Sequence, residues 1–300
     1  MGGVDGREAV LRRFGLGAQD RLGEGGESEV FALDAHRVLR VHKREAAGYT
    51  RAIGELYAGL DRSRVPYALP EVLAVDGDGE LSWSIERRLP GRSLDQVLPF
   101  VAASDRERVL RGYVDAAAAF GALGAPPGWP GGCGELFTDE RLRADRWGEL
   151  QRARLTLQLE QARPVLEAAI PELGVVAARV LAEAEAAPNA DAPTLVHGDW
   201  CPGNVLVGDD LRITAAFDLG WLTTVGHPCH DLLTAAVFCE PQAAYRPDDA
   251  AVLADAVSAH LGPDTAVHLA RTRRLEALRF AFVTEDPFLH RWCLAVLCAA

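Results

Sequence analysis

Three side chains that can offer oxygen stand in a pattern in the second half of the chain. His197-Gly198-Asp199-Trp200-Cys201-Pro202-Gly203-Asn204 sets an aspartate and an asparagine five positions apart, and Asp218 follows in Phe217-Asp218-Leu219-Gly220. Between them lie two short β-like runs, Val205-Leu206-Val207 and Ile213 to Phe217, joined by Gly208-Asp209-Asp210. A hairpin therefore carries the chain from the asparagine to the second aspartate. On such a frame Asp199 is aimed at an incoming hydroxyl, while Asn204 and Asp218 converge on a hard cation. Magnesium takes oxygen ligands and keeps several waters, so one carboxylate and one amide oxygen suffice beside the phosphates of a nucleotide. The chemistry implied is transfer of a phosphoryl group. Each piece alone reads as well as a turn whose acid satisfies backbone groups. Order, spacing and the intervening hairpin together favour the reactive reading.

The first lobe supplies candidates for holding the nucleotide. Leu22-Gly23-Glu24-Gly25-Gly26-Glu27-Ser28-Glu29-Val30-Phe31 is a glycine-containing turn entering a strand, with Gly25, Gly26 and Ser28 placed to approach phosphate oxygens. Glu24, Glu27 and Glu29 suit that role only if they point to solvent. In Val38-Leu39-Arg40-Val41, alternation puts Val38 and Arg40 on one face, a small apolar residue toward a purine and a cation toward phosphates. Lys43, the only lysine in the chain, has the opposite parity and is the alternative cation. The expected acidic partner is Glu55, fifteen residues past Arg40 on a helix spanning Arg44 to Leu60, with Glu45 as the alternative.

These groups need two kinds of scaffold. Glu29 to Leu33, Arg37 to Val41 and Leu81 to Ile85 read as strands, the last after the Asp76-Gly77-Asp78-Gly79 turn, and Leu89-Pro90-Gly91 breaks the chain. Beyond it Ser104 to Leu123, Asp139 to Ile170 and Leu173 to Ala186 carry helical periodicity. The expected fold class is α+β: residues 1–89 as a small sheet lobe with one helix, and residues 90–300 as a mainly helical lobe. A net charge of -12 argues against a nucleic-acid partner and admits a cationic or neutral ligand. No apolar run reaches signal-peptide or membrane-spanning length, and the six scattered cysteines read as free thiols, so a cytoplasmic location is expected. Gly226-His227-Pro228-Cys229-His230 has the wrong spacing for a zinc site.

The order H-x-D-x-x-x-x-N then D-x-G, after a strand placed like V-A-I-K, is the kinase arrangement. The chain resembles the aminoglycoside phosphotransferase family, the small-molecule branch of the protein-kinase-like fold. The resemblance is strongest over Leu195 to Phe238, in LVHGDWCPGNVLV, ITAAFDLG and GHPCHDLLTA, and weaker over Leu22 to Leu94. It implies a bilobal fold, Asp199 as catalytic base, Asn204 and Asp218 as magnesium ligands, Arg40 in the phosphate-pairing place, and Glu86, Arg87, Arg88 and Leu89 as the linker that hydrogen-bonds the purine. Asp231 matches an aspartate thought to be structural. The implied cofactors are ATP, with GTP as the alternative, and Mg²⁺. The implied acceptor is a hydroxyl of an aminoglycoside or other antibiotic. A metabolic kinase of a sugar, choline-like or homoserine-like alcohol is the alternative, and a nucleotide-binding pseudokinase is the third. Arg40 and His227 depart from the family's usual lysine and aspartate, and a guanidinium fork is not a point charge. Glu135, Asp139, Glu140, Asp145, Glu149, Glu160 and Glu167 either line an acidic cleft for a polycation or form a solvated face. Monomer and homodimer both stand open.

Overall fold

The structure is a computed structural model that describes residues 3–25, 28–43, 47–77, 81–137 and 142–300, with side chains from Gly6 onward. Helix α1 (Gly3–Phe14) precedes strands β1 (Arg21–Glu24), β2 (Ser28–Ala32) and β3 (Arg37–His42). Helix α2 (Ala47–Gly59) then leads to β4 (Val72–Gly77) and β5 (Ser82–Arg87). These strands form one antiparallel sheet in the order β1-β2-β3-β5-β4. Alternation gives the sheet two unlike faces. Phe31, Leu39, Val41 and Trp83 are buried against Leu11 and the flanking Phe14 of α1, with the Phe14 and Trp83 rings edge to face at 5.0 Å. The opposite face carries Ser28, Val38, Arg40, Ser84 and Glu86, mostly polar, and looks toward α2 and the second lobe.

The chain crosses through β6 (Arg92–Ser93) and α3 (Leu94–Val97) into α4 (Ala103–Phe120). Val109, Leu110, Tyr113, Val114, Ala117 and Phe120 recur at helical spacing on α4 and are buried in the main core. Strands β7 (Cys133–Glu135) and β8 (Arg143–Ala144) follow, then α5 (Trp147–Ala169) and α6 (Leu173–Glu185). Next come β9 (Thr194–Val196), β10 (Val205–Val207), β11 (Ile213–Ala216) and β12 (Thr224–Gly226). The chain ends in α7 (His230–Val237), α8 (Asp249–Leu261), α9 (Thr265–Phe280) and α10 (Pro287–Cys298). Two small antiparallel sheets are set into this helical body, β11-β10-β6 and β8-β7-β12-β9. The fold class is α+β, as expected. The six cysteines are free. Among the described residues no helix is long and apolar enough to cross a membrane.

Several expected elements differ in extent. The helix expected over Asp139 to Ile170 begins only at Trp147, because Arg143 and Ala144 pair with Gly134 and Cys133 instead. That short strand pairing leaves no trace in helical periodicity. Strand β4 and helix α1 were not foreseen. One buried ion pair ties α4 to α8. Arg106 donates to both carboxylate oxygens of Asp249, each at 2.6 Å, and to the carbonyls of Leu98 and Ala244. Breaking one half strands a buried charge, so Arg106→Met is expected to cost about 3–5 kcal/mol of unfolding free energy, read from urea denaturation.

Candidate active site

The loop carrying Asp199 and Asn204 is held from below by Asp231. Its carboxylate accepts the backbone N–H groups of His197 (2.7 Å) and Gly198 (2.9 Å) and is 2% exposed. Burial pushes that carboxyl upward, while His197 and the two N–H donors pull it down. Gly198 must be glycine: its φ is +81°, and a Cβ there would sit 2.0 Å from the Leu222 carbonyl oxygen. The His197 ring nitrogen Nε2 lies 2.8 Å from the Phe217 carbonyl, which can only accept, so Nε2 carries the proton. Nδ1 then accepts the Asp199 N–H at 3.3 Å. His197, Trp200 and Phe120 pack ring against ring beneath the loop, and Trp200 is fully buried. Trp200 is thus a core residue.

The spacing of five between Asp199 and Asn204 closes through the 3₁₀ turn Pro202–Asn204. Asn204 Nδ2 donates to the Asp199 main-chain oxygen (3.0 Å) and to its carboxylate Oδ2 (2.9 Å). Hairpin β10–β11 then returns the chain, with Val205 opposite Ala216 and the Phe217 N–H on the Asn204 carbonyl at 3.1 Å. Asp218 therefore emerges beside Asn204, with φ +74°, a left-handed conformation uncommon outside glycine. Burial raises the Asp199 carboxyl above the usual range. His197 opposes that shift and Asp218 adds to it.

Arg40 reaches this loop from β3. Its Nη1 lies 3.0 Å from Asp218 Oδ1 and 3.1 Å from Ser28 Oγ, and its Nε lies 3.2 Å from Glu86 Oε1. Burial works against the guanidinium charge, but Glu86 and then Asp218 outweigh it and leave the group more firmly protonated than usual. The partner expected for Arg40 was Glu55. Glu55 is instead exposed on α2, and the acids that Arg40 meets are Glu86 and Asp218. The helix phase decides this: Thr50 and Tyr57 face inward, and Glu55 does not. Glu45 lies outside the described residues.

Other expected positions are distributed as follows. Val38 is 8% exposed on the Arg40 face. Gly25 closes the β1–β2 turn, its N–H on the Ser28 carbonyl, while Gly26 lies outside the described residues. Lys43 pairs with Glu24 at 2.8 Å and with the Gly25 carbonyl at 2.9 Å, so it braces the turn from outside. Glu29 does not point to solvent as its place in the turn required; it is buried and paired with Arg7 and Arg21. Glu86 was expected in the purine linker. Its carboxylate is turned into the Arg40 pair and accepts from Ser84 Oγ at 2.7 Å. The Arg88 N–H is already given to the His36 carbonyl at 2.8 Å, and Leu89 is half-buried.

No sequence motif marks Tyr57. Its hydroxyl, on α2, accepts the Leu219 N–H at 2.9 Å, one residue past Asp218. Trp221, 36% exposed, stacks on Tyr49 of the same helix. The signal was present as Thr50, Ile53 and Tyr57, one helical face at three- and four-residue steps. The acids proposed for an acidic cleft are largely neutralised locally. Glu135 is buried on Arg154, Glu160 and Glu167 flank Arg163, and Glu149 lies near Arg146. Asp139 and Glu140 lie outside the described residues.

An antiparallel sheet over a helical body, its basic strand meeting the D-x-G aspartate at the junction, defines a bilobal protein-kinase-like fold. The ADP-bound aminoglycoside phosphotransferase APH(2'')-Ib superposes with a TM-score of 0.64 at 14% identity, covering 97% of this chain and 95% of that one. The GDP complex of wild-type aminoglycoside 2'-phosphotransferase-IIIa gives 0.64 at 15% identity, covering 100% and 99%. The apoenzyme of macrolide 2'-phosphotransferase MphH from Brachybacterium faecium gives 0.56 at 20% identity, covering 98% of each. No curated protein matches the chain. The model of the APH family, the phosphotransferase enzyme family, matches residues 19–274, and the chain belongs to that family. It is a phosphotransferase.

Proposed function

We propose that this protein moves the γ-phosphoryl group of ATP, or of GTP, to a hydroxyl of a small molecule, with an aminoglycoside or other antibiotic as acceptor. The observation that carries this reading is the meeting of Asp199, Asn204 and Asp218 at one junction, with Asn204 hydrogen-bonded to Asp199 and Arg40 on Asp218. The structural neighbours, which include aminoglycoside and macrolide phosphotransferases with ADP and GDP, support it by fold.

The donor set fits magnesium. Asn204 commits its amide nitrogen to Asp199, which leaves its oxygen as the ligand end, and the Asp218 side chain is 46% exposed. Both are hard oxygen donors, and a magnesium ion bound there supplies charge neutralisation for the nucleotide phosphates. Among the described residues no cluster of three or more His, Cys, Asp and Glu would suit a softer metal. Arg40, held by Glu86, would present a guanidinium to the phosphates of a nucleotide bound beside Asp218. Phosphoryl transfer proceeds through a loose transition state, so positioning and charge dominate over proton abstraction. Asp199 accordingly orients the acceptor hydroxyl and takes its proton late. His197, Asp231 and Asn204 keep its loop in place.

The acceptor's charge divides two versions of this reading. Some acids of the helical lobe are paired with arginines, Glu183 with Arg274, Glu240 with Arg273 and Glu276 with Arg279. The lobe keeps more acids than arginines overall, which admits a cationic acceptor as the first version and a less basic alcohol, such as a macrolide or a metabolite, as the second. The deciding experiment incubates the protein with ATP and Mg²⁺ against aminoglycosides, macrolides, sugars, choline and homoserine, and reads a mass gain of one phosphate. Transfer to a macrolide or metabolite alone supports the second version. Nucleotide binding with no transfer or hydrolysis above background identifies a pseudokinase and overturns the catalytic reading.

A further inference from the structure

We infer that Tyr57 is a positioning residue for Asp218, and that α2 acts on the site through this hydroxyl in place of a glutamate ion pair. The inference rests on Asp218 serving as a metal ligand. Asp218 adopts φ +74° without being glycine, a conformation that persists only where its surroundings over-determine it. The restraints lie on both sides. Before it, the Phe217 N–H is held by the Asn204 carbonyl. After it, the Leu219 N–H is held by the Tyr57 hydroxyl at 2.9 Å, with Tyr57 and Leu219 each 4% exposed. Two residues further on, Trp221 stacks on Tyr49 with ring centroids 4.5 Å apart and planes 13° from parallel. One helix of the sheet lobe thus grips the metal-binding loop of the other lobe at two points.

The hydrogen bond and the stack differ in what they control. The bond sits one peptide from the Asp218 Cα and fixes the direction in which the carboxylate leaves the chain. A buried N–H left without an acceptor incurs the full desolvation penalty, so the loop would reorient rather than leave the group unpaired. Arg40 alone does not restrain Asp218, because it shares its guanidinium with Ser28 and Glu86.

Tyr57→Phe tests this while keeping the ring. Amide hydrogen exchange on the protein without metal or nucleotide is the first readout: Leu219 exchanges slowly in the native chain and about tenfold faster in the variant. Mg²⁺-dependent ATP binding weakens about tenfold, while binding without Mg²⁺ stays the same. Tyr67→Phe is the matched control, since it removes a buried hydroxyl bond to the Ala116 carbonyl (2.8 Å) outside the loop. Fast exchange of Leu219 in the native chain, unchanged exchange in Tyr57→Phe, or an equal loss of Mg²⁺ dependence in Tyr67→Phe overturns the inference. Asp218→Ala, measured alongside, separates the two claims. If it leaves Mg²⁺-dependent binding intact, the metal-ligand reading fails; if it abolishes that binding while Tyr57→Phe does not weaken it, the positioning role alone fails.

Discussion

Replacing Asp199 by alanine is expected to lower turnover by about 10²–10⁴-fold, the usual contribution of a positioned general base, and to leave ATP binding close to native. The structure gives the reason for that split. Asn204 Nδ2 is anchored by two oxygens of Asp199, the main-chain carbonyl at 3.0 Å and the carboxylate at 2.9 Å, and alanine keeps the first. Arg40, Ser28 and Asp218 do not depend on the lost side chain. Initial rates of phosphate transfer, set against calorimetric titration with nucleotide, read the two effects separately. Near-native turnover would remove Asp199 from its role. The same carboxyl predicts a pH dependence. Burial raises its pKa, with Asp218 adding and His197 opposing. Because the ionised form is the one that accepts a proton, turnover is lost as pH falls through the raised pKa. The acid limb of the rate profile therefore lies above about 3.9, the value for an unperturbed aspartate.

The second large effect falls on binding. Asp218→Ala is expected to weaken Mg²⁺-dependent ATP affinity by about 10–100-fold, the range for losing an interaction with a charged group. Affinity without Mg²⁺ should hold or rise, since a carboxylate beside phosphates is repulsive until a cation intervenes. Arg40 keeps Glu86 at 3.2 Å in the variant, so the basic strand stays in place. Titrations with and without Mg²⁺ measure the difference, and equal weakening in both would assign Asp218 a structural role only.

The parts of the site legible beforehand are those carried by local geometry. The five-residue interval from Asp199 to Asn204 is spanned by one 3₁₀ turn, and a hairpin brings Phe217 back to Asn204; both follow from short-range backbone rules. The shared face of Val38 and Arg40 follows from strand alternation alone. The acidic partner of Arg40 was a different problem. Counting along α2 suggested Glu55, but the phase of a helix against a sheet is set by what packs between them, here Ile53 and Tyr57 against Val72 and the β3 face. Glu86 reaches Arg40 because β5 lies beside β3 with Val38 opposite Glu86, a register no local pattern announces. The same limit hid the β8-β7-β12-β9 sheet, whose strands are two or three residues long and drawn from distant parts of the chain.

Residue order alone determined the fold class and the oxygen-bearing set at Asp199, Asn204 and Asp218, because each rests on periodicity or on spacing within one turn or one hairpin, and the resemblance of the motifs around them pointed to the family. Tertiary structure decided which groups meet: Arg40 with Asp218 and Tyr57 with Leu219 across the two lobes, Arg40 with Glu86 within the sheet lobe, and Arg154 with Glu135 and Arg274 with Glu183 within the helical one. Those contacts join positions up to 178 residues apart. Their choice depends on strand register, helix phase and the competition of every buried polar group for a partner, quantities that exist only once the chain has packed.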